Sequence, residues 1–201
     1  MKNTNVLIDH LNILFKKYLL NIYSKENTTY LDINKNNLIE ILKFLKTDNK
    51  CLFSQLIDLT AVDYINSKQR FEVVYILLSH KKNFRLIIKV LVGEKEKIPS
   101  ICSIFNSANW YERECYDLFG IKFINHPDLR RIMTDYNFEG HPLRKDFPLT
   151  GHTEVHYNDL EKKVVYEPVK LSQEFRNFDY SSPWKGLENQ LIGDEKAEKE
   201  D

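Results

Sequence analysis

Cysteine is scarce in this sequence: Cys51, Cys102 and Cys115 are the whole complement of a 201-residue chain. Three widely spaced thiols cannot build a disulfide framework or a four-cysteine iron–sulfur site, so a reducing compartment is expected. There is no net charge, with 29 basic against 29 acidic residues. Nucleic-acid binding usually leaves a basic excess, which makes nucleic acid a poor candidate partner. Long apolar runs are missing too. The longest, Val73–Leu78 and Leu86–Val92, are of strand length and the second is interrupted by Lys89, far from the ~18–20 residues a bilayer crossing needs. Glycine-rich phosphate loops are absent, which removes the usual nucleotide cradle. Val6–Leu20 lacks the continuous apolar core of a signal peptide and the acid-poor, Arg/Ser-rich look of a transit peptide. Alanine occurs only at Ala61, Ala108 and Ala197, while Lys, Asn and Ile abound. That bias suggests an AT-rich genome, organellar or intracellular bacterial, more than any structural need.

What is present reads as an α+β fold, with a mixed or antiparallel sheet, helices on one of its faces and a long extended C-terminal arm. Leu7, Leu11, Leu14, Phe15, Tyr18 and Ile22 recur at helical spacing and predict an amphipathic helix over Val6–Ile22. Thr29–Ile33 reads as a short strand, Leu38, Ile41, Leu42 and Leu45 as a second helix, and Leu52–Leu59 as a strand. Phe71–Ser79 and Phe84–Val92 are rich in Val and Ile and predict an antiparallel hairpin. Pro99 and Ser100 are expected to open a third helix that Gly120 closes.

Beyond Ile124 no period holds for long, and Pro127, Pro142, Pro148, Pro168 and Pro183 punctuate the chain. Disordered linkers are poor in aromatics, yet Tyr136, Phe138, Phe147, Tyr157, Tyr166, Phe175, Phe178, Tyr180 and Trp184 all lie here. Residues 125–192 therefore read as an arm that buries aromatic anchors on a partner, with 1–124 as the domain and 193–201 as a charged tail. An irregular region folded over its own sheet is the competing reading.

A wheel count at ~100° per residue along the third helix puts Glu112 among Ile101, Ile104, Phe105, Ala108, Cys115 and Phe119. A carboxylate on an apolar face must be paired or bonded, and an arginine is the expected partner. Trp110, Glu114 and Asp117 fall on the opposite face, with Arg113, Arg130, Arg131 and Arg144 as candidate partners for the acids. Acids on opposite faces cannot converge on one bond, which argues against glycosidase-like catalysis. Arg130-Arg131 as a phosphate or lipid site is a further reading, although Asp128 and Asp135 nearby favour ion pairs. His152 and His156 have a helical metal spacing, but their surroundings predict no helix.

The run Trp110-Tyr111-Glu112-Arg113-Glu114-Cys115-Tyr116-Asp117-Leu118-Phe119-Gly120-Ile121 resembles the signature of the C subunit of NADH dehydrogenase, whose mitochondrial counterpart is called subunit 9. The resemblance continues through His126, Pro127, Arg130, Arg131, Ile132 and Met133, then Asp135-Tyr136 and Glu139 to Gly151, with Arg144, Asp146 and Phe147 inside that block. Tyr166-Glu167-Pro168-Val169, Gln173-Glu174-Phe175-Arg176, Phe178-Asp179 and Ser182-Pro183-Trp184 resemble the mitochondrial and alphaproteobacterial branch. The likeness spans roughly residues 71–186; His152 and His156 depart from it, standing where a tyrosine and a basic residue are expected.

The resemblance implies a structural subunit of the quinone module of complex I, the proton-pumping NADH:ubiquinone oxidoreductase. It implies no catalytic residue, no cofactor and no metal in this chain, although the complex would carry FMN and iron–sulfur clusters and use NADH and ubiquinone. The implied partners are the large quinone-site subunit and the small subunit of the terminal cluster. The implied location is the matrix side of the mitochondrial inner membrane, or the cytoplasmic face of a bacterial one. A related scaffold subunit of a membrane-bound hydrogenase is the alternative. Trp110, Glu112, Arg113, Glu114, Asp117, His126, Arg130, Arg131, Arg144, Asp146, Phe147, Glu167, Phe175 and Trp184 are the expected structural and interface residues.

Overall fold

The structure is a computed structural model that describes residues 2–15, 19–26, 28–171 and 173. Contacts divide the chain into two units, Met1–Gly151 and His152–Asp201. The expected boundary at Ile124 therefore falls inside the first unit, and residues 125–151 pack with the domain they follow.

The first unit is built on a five-stranded sheet. Its strands are β1 (Leu19–Lys25), β2 (Thr28–Ile33), β3 (Gln55–Asp63), β4 (Phe71–Ser79) and β5 (Phe84–Val92), in the order β1-β2-β5-β4-β3. Only β2 and β5 run parallel; the other neighbours are antiparallel. The hairpin predicted for Phe71–Ser79 and Phe84–Val92 is present with those bounds. Strand periodicity of two places every second side chain on one face. The register aligns Leu59, Tyr75, Ile88 and Leu31 in one buried row across the sheet, and Ala61, Val73, Val90 and Ile33 in the next.

Three helices cover that face: α1 (Lys2–Phe15), α2 (Leu38–Thr47) and α3 (Ala108–Phe119). In α2 the buried Leu38, Ile41, Leu42 and Leu45 follow the i, i+3, i+4, i+7 pattern of a helix with one apolar side. Leu7, Leu11 and Phe15, spaced i, i+4, i+8, give α1 one buried side as well.

The helix expected over Val6–Ile22 is shorter than its periodicity. It ends at Phe15, Leu14 is 44% exposed, and Ile22 lies in β1 opposite Leu31. Tyr23 of β1 stacks on Tyr30 of β2, their ring centroids 4.9 Å apart. Cross-strand pairing of this kind overrides local pattern, because a strand's worth is set by neighbours distant in sequence.

The third helix also differs from expectation. It begins at Ala108, not at Pro99–Ser100, which belong to a short strand β6 (Lys97–Pro99) and the residue after it. Ile101, Ile104 and Phe105 are buried but sit in tight turns, with the Phe105 N–H bonded to the Ile101 carbonyl at 2.9 Å. β6 pairs in parallel with β7 (Lys122–Ile124), so a β-α-β crossover frames α3. Gly120 closes the helix at φ 80° as expected. Edge strand β3 is capped by this helix: the Tyr111 hydroxyl donates to the Ile57 carbonyl at 2.9 Å, and the Cys115 thiol to that of Leu59 at 3.6 Å. Covered edges do not recruit foreign strands.

The second unit contains a hairpin of β8 (Thr153–Asn158) and β9 (Lys163–Pro168). This stretch was expected to be irregular. Its strand character was hidden because the turn Asp159–Lys162 carries neither Gly nor Pro; instead Lys162 takes φ 53°.

Tyr75 is fully buried and its hydroxyl has no hydrogen-bond partner among the described residues. A buried hydroxyl without a partner carries an unreturned desolvation cost of ~1–3 kcal/mol. Tyr75→Phe is accordingly expected to raise stability by about 1 kcal/mol, read as a higher urea midpoint at unchanged slope.

Candidate functional site: the clasp at the end of the third helix

A helix leaves its last four carbonyls without intrahelical partners. In α3 each of them finds one. The Tyr116 carbonyl accepts from Gly120 N–H at 2.9 Å, and that of Asp117 from His141 Nδ1–H at 2.7 Å. The Leu118 carbonyl accepts from Leu143 N–H at 3.1 Å, and that of Phe119 from Arg144 Nε–H at 2.6 Å. Three of the four donors come from residues 141–144, so the chain beyond the domain returns to seal the helix it left. Gly120 makes this possible. A Cβ there would sit 2.6 Å from both Arg144 Nη2 and His141 Nε2, and its φ is one that side chains resist.

Asp117 is the second fastening. It was expected on the outer helix face, but its side chain is wholly buried under the returning segment. One carboxylate oxygen accepts from the backbone N–H groups of Ile132, Met133 and Thr134 at 3.0, 2.7 and 2.9 Å. The other accepts from the Thr134 hydroxyl at 2.6 Å and from Arg131 at 3.3 Å. Burial pushes its pKa up, but the bonds from Thr134, Met133 and Ile132 outweigh that and hold it below the usual carboxylate value. Arg131 also bonds the Gly140 carbonyl at 2.9 Å and lies over the Phe138 ring, which stacks on Phe147.

A third fastening centres on Arg70, which sequence reasoning did not single out. It meets Asp63 in a bidentate pair at 2.7 and 2.9 Å, and Asp146 at 2.7 and 3.1 Å. Asp63 also accepts from Lys145 N–H at 2.8 Å. Glu94 joins Arg70 and Arg144 at 3.3 and 3.0 Å. The guanidinium bond holds both Asp63 and Asp146 below the ordinary carboxylate range. The only prior signal was composition: a lone arginine just before β4, close in sequence to Asp63 and far from Asp146.

Glu112 is buried as expected, but its partner is not an arginine. It accepts from Ile101 N–H at 2.7 Å and from the Cys102 thiol at 3.4 Å, with His126 Nε2 3.9 Å away. Burial raises its pKa above the normal glutamate value. The arginines expected to pair with it are engaged elsewhere, because the face opposite Glu112 receives the arm. Arg113 donates to the carbonyls of Arg130 and Arg131 at 3.1 and 3.2 Å and lies over Trp110.

The remaining expected residues are scattered. Arg130 pairs with Asp128 at 2.9 Å on the surface. Trp110 is 67% exposed and Glu114 is partly exposed. His126 donates to the Asn109 carbonyl at 3.0 Å. Glu167 lies directly opposite Glu154 in the β8–β9 hairpin, and His156 is on a strand, so the helical metal spacing of His152 and His156 does not exist. Phe175 and Trp184 lie outside the described residues. The site assembles carboxylates, guanidinium groups and backbone donors that satisfy one another, and burial pushes the Cys102 thiol up to about 11, a poor nucleophile at neutral pH.

Residues 31–153 match the family described as respiratory-chain NADH dehydrogenase, 30 Kd subunit. The chain belongs to that family. The match runs in one piece from the middle of β2 through β3, β4, β5, α3 and the clasp. The chain is 56% identical over 168 residues to the C subunit of NADH-quinone oxidoreductase from Roseobacter denitrificans, covering 84% of each. It is 58% identical over 162 residues to the same subunit from Parvibaculum lavamentivorans, covering 81% of each. Among solved structures it resembles a trypsin-resistant fragment (1–134) of Nqo5, with TM-score 0.55 and 28% identity, over 63% of this chain and 99% of that one. A chain of the archaeal membrane-bound sulfane sulfur reductase shares the fold at TM-score 0.60 and 21% identity, over 74% of this chain and 87% of that one. The family match and the NADH-quinone oxidoreductase subunits favour the NADH dehydrogenase reading over the hydrogenase alternative.

Two substitutions test the buried acids of α3, Asp117 in the clasp and Glu112 on the opposite side. Asp117→Asn keeps the shape, but with its oxygen on the three backbone N–H groups its NH2 faces Arg131 and the Thr134 hydroxyl, donor against donor; a loss of about 2–4 kcal/mol is expected, with trypsin cutting at Arg130 or Arg131 in the variant first. Asp117's folded pKa is depressed, so its contribution is present above the unfolded value of 3.8 and is lost as pH falls through the folded value. Glu112 has the opposite sign. Its folded pKa is raised, so its contribution is full below 4.5 and declines as pH climbs from there toward the folded value. Glu112→Gln is expected to remove that decline and leave stability near pH 7 unchanged or higher, as urea melts across pH 4–8 would show.

Proposed function

We propose that this chain is a structural subunit whose compact unit carries a docking hairpin into the assembly. It is a peripheral-arm subunit of complex I, which transfers electrons from NADH to quinone. The observation that carries the docking reading is the β8–β9 hairpin. Val155 pairs with Tyr166 and Tyr157 with Val164 on one face, and each is more than half exposed. An isolated two-stranded hairpin is marginal in water, and such a face gains stability only by burial. On its other face Glu154 and Glu167 stand directly opposite each other; like charges in that position repel unless a cation is supplied.

The partners are the large quinone-site subunit and the small subunit of the terminal cluster, and the partner surface combines an apolar trough with a basic side chain. The chain holds no redox centre of its own; flavin and clusters belong to other subunits. None of the described helices is long and apolar enough to cross a membrane, so membrane association comes through partners. The Lys-, Asn- and Ile-rich composition supports the matrix side of a mitochondrial inner membrane. The bacterial relatives support the cytoplasmic face of a bacterial membrane as the second reading.

Tyr157→Asp tests the proposal, because it charges the docking face without touching the clasp. Assembled complex on a native gel is expected to fall at least about tenfold, a loss of more than ~1.4 kcal/mol, while NADH:ubiquinone activity per assembled complex stays normal. Full assembly with lost activity would show that the hairpin serves the reaction. Stoichiometric iron or flavin in the purified chain would refute its lack of a redox centre.

A further inference from the structure

Two clusters of metal-ligating side chains lie in the first unit, away from the clasp. In the one formed by Cys102, Glu112 and His126, both imidazole nitrogens are already committed. Nε2 donates to the Asn109 carbonyl at 3.0 Å, and Nδ1 accepts from Asp128 N–H at 3.0 Å. That set is a closed hydrogen-bond network.

The other cluster is different. His10 comes from α1, Asp48 caps the end of α2, and Cys51 lies in the turn that follows. Their ligand atoms all fall within 4.8 Å of one another, and His10 Nε2 is 3.1 Å from Asp48 Oδ2. The ligands of a tetrahedral zinc-class ion, bound at ~2.0–2.3 Å, stand roughly 3.3–3.8 Å apart, so little movement would admit one. His10 Nδ1 makes no hydrogen bond among the described residues, so the ring can meet an ion through Nε2 once the proton is carried on Nδ1.

Outer contacts hold the ligands in place. Lys50 N–H bonds the Asp48 carboxylate at 3.0 Å, and the His10 ring leans on Phe44 at 6.4 Å. Leu52, at φ 50°, holds a left-handed turn beside Cys51, whose N–H bonds the Asp48 carbonyl at 3.0 Å. The side chains of His10 and Asp48 are 16% and 20% exposed while Cys51 is fully buried, so solvent reaches the cluster from the His10–Asp48 side.

We propose that His10, Asp48 and Cys51 form a three-ligand site for a zinc-class divalent transition-metal ion, with water as the fourth ligand. The sequence by itself suggests no metal at these positions. One thiolate, one imidazole and one carboxylate suit a borderline-soft ion and not calcium or magnesium, which prefer oxygen. Two negative ligands neutralise a 2+ ion, so no net charge is left in a mostly buried place. Binding exchanges the Cys51 S–H bond for a sulfur–metal bond, and the proton leaves to solvent; no electron moves. The ion would clamp α1 to the end of α2.

The test uses the full chain carrying Cys102→Ala, freed of metal by chelator and then titrated with cobalt(II). One cobalt per chain is expected, with a near-ultraviolet thiolate-to-cobalt band, displacement by zinc(II), and release of about one proton. His10→Gln, at the rim, is expected to fold normally and to weaken binding at least about tenfold. Zinc should raise the melting midpoint of the parent chain and not that of the His10→Gln variant. No binding below about 0.1 mM, binding without the thiolate band, or equal binding by His10→Gln would each overturn the site.

Discussion

The end of α3 is the point on which the clasp turns. A helix that stops at a left-handed glycine exposes carbonyls, and an acid one turn earlier needs donors. Residues 131–146 satisfy both demands at once, which is why a stretch with no helix or strand still holds one conformation. Its order comes from hydrogen bonds to a rigid helix end and from Arg70 gripping Asp146, without a core of its own. The entropy of ordering an irregular segment is offset here by many polar contacts made in partly dehydrated surroundings.

Buried charge is consequently concentrated at the seam between regular and irregular structure. Asp63, Arg70 and Asp117 are all nearly inaccessible, and each is multiply bonded. Replacing such groups with apolar ones could cost little, whereas removing one partner strands the other. Networks of this kind specify one arrangement, which suits a subunit that must present a fixed surface to its neighbours. Glu112 sits on the other side of the same helix and works differently. It is held by a backbone donor and a thiol in place of a cation, and burial favours its protonated form.

The α+β domain and the hairpin treat their apolar and unpaired surfaces in opposite ways. The domain closes its own sheet edge at β3 through Tyr111 and Cys115, and so avoids unwanted strand pairing there. The hairpin leaves Val155, Tyr157, Val164 and Tyr166 more than half exposed on one face. Self-sealing in one unit and exposure in the other are both needed if a chain is to be stable before it meets its complex and specific once it does.

Periodicity by itself determined the β4–β5 hairpin, α2 and the β2 strand, because their apolar spacing is local and each element buries one face. The burial of Glu112 was legible for the same reason, and the order of the signature blocks carried the family. Tertiary structure alone decided where α1 ends, where α3 begins, and what the acids bind. Ile22 fits a helix or a strand equally well until Leu31 is placed beside it. Asp117 reads as an exposed acid until residues 131–134 return over it, and Arg70 gains meaning only when Asp63 and Asp146 converge. The physical reason is common to all three: a side chain's pattern records which face it lies on, but its partner is chosen by contacts across long stretches of chain, and those leave no period to read.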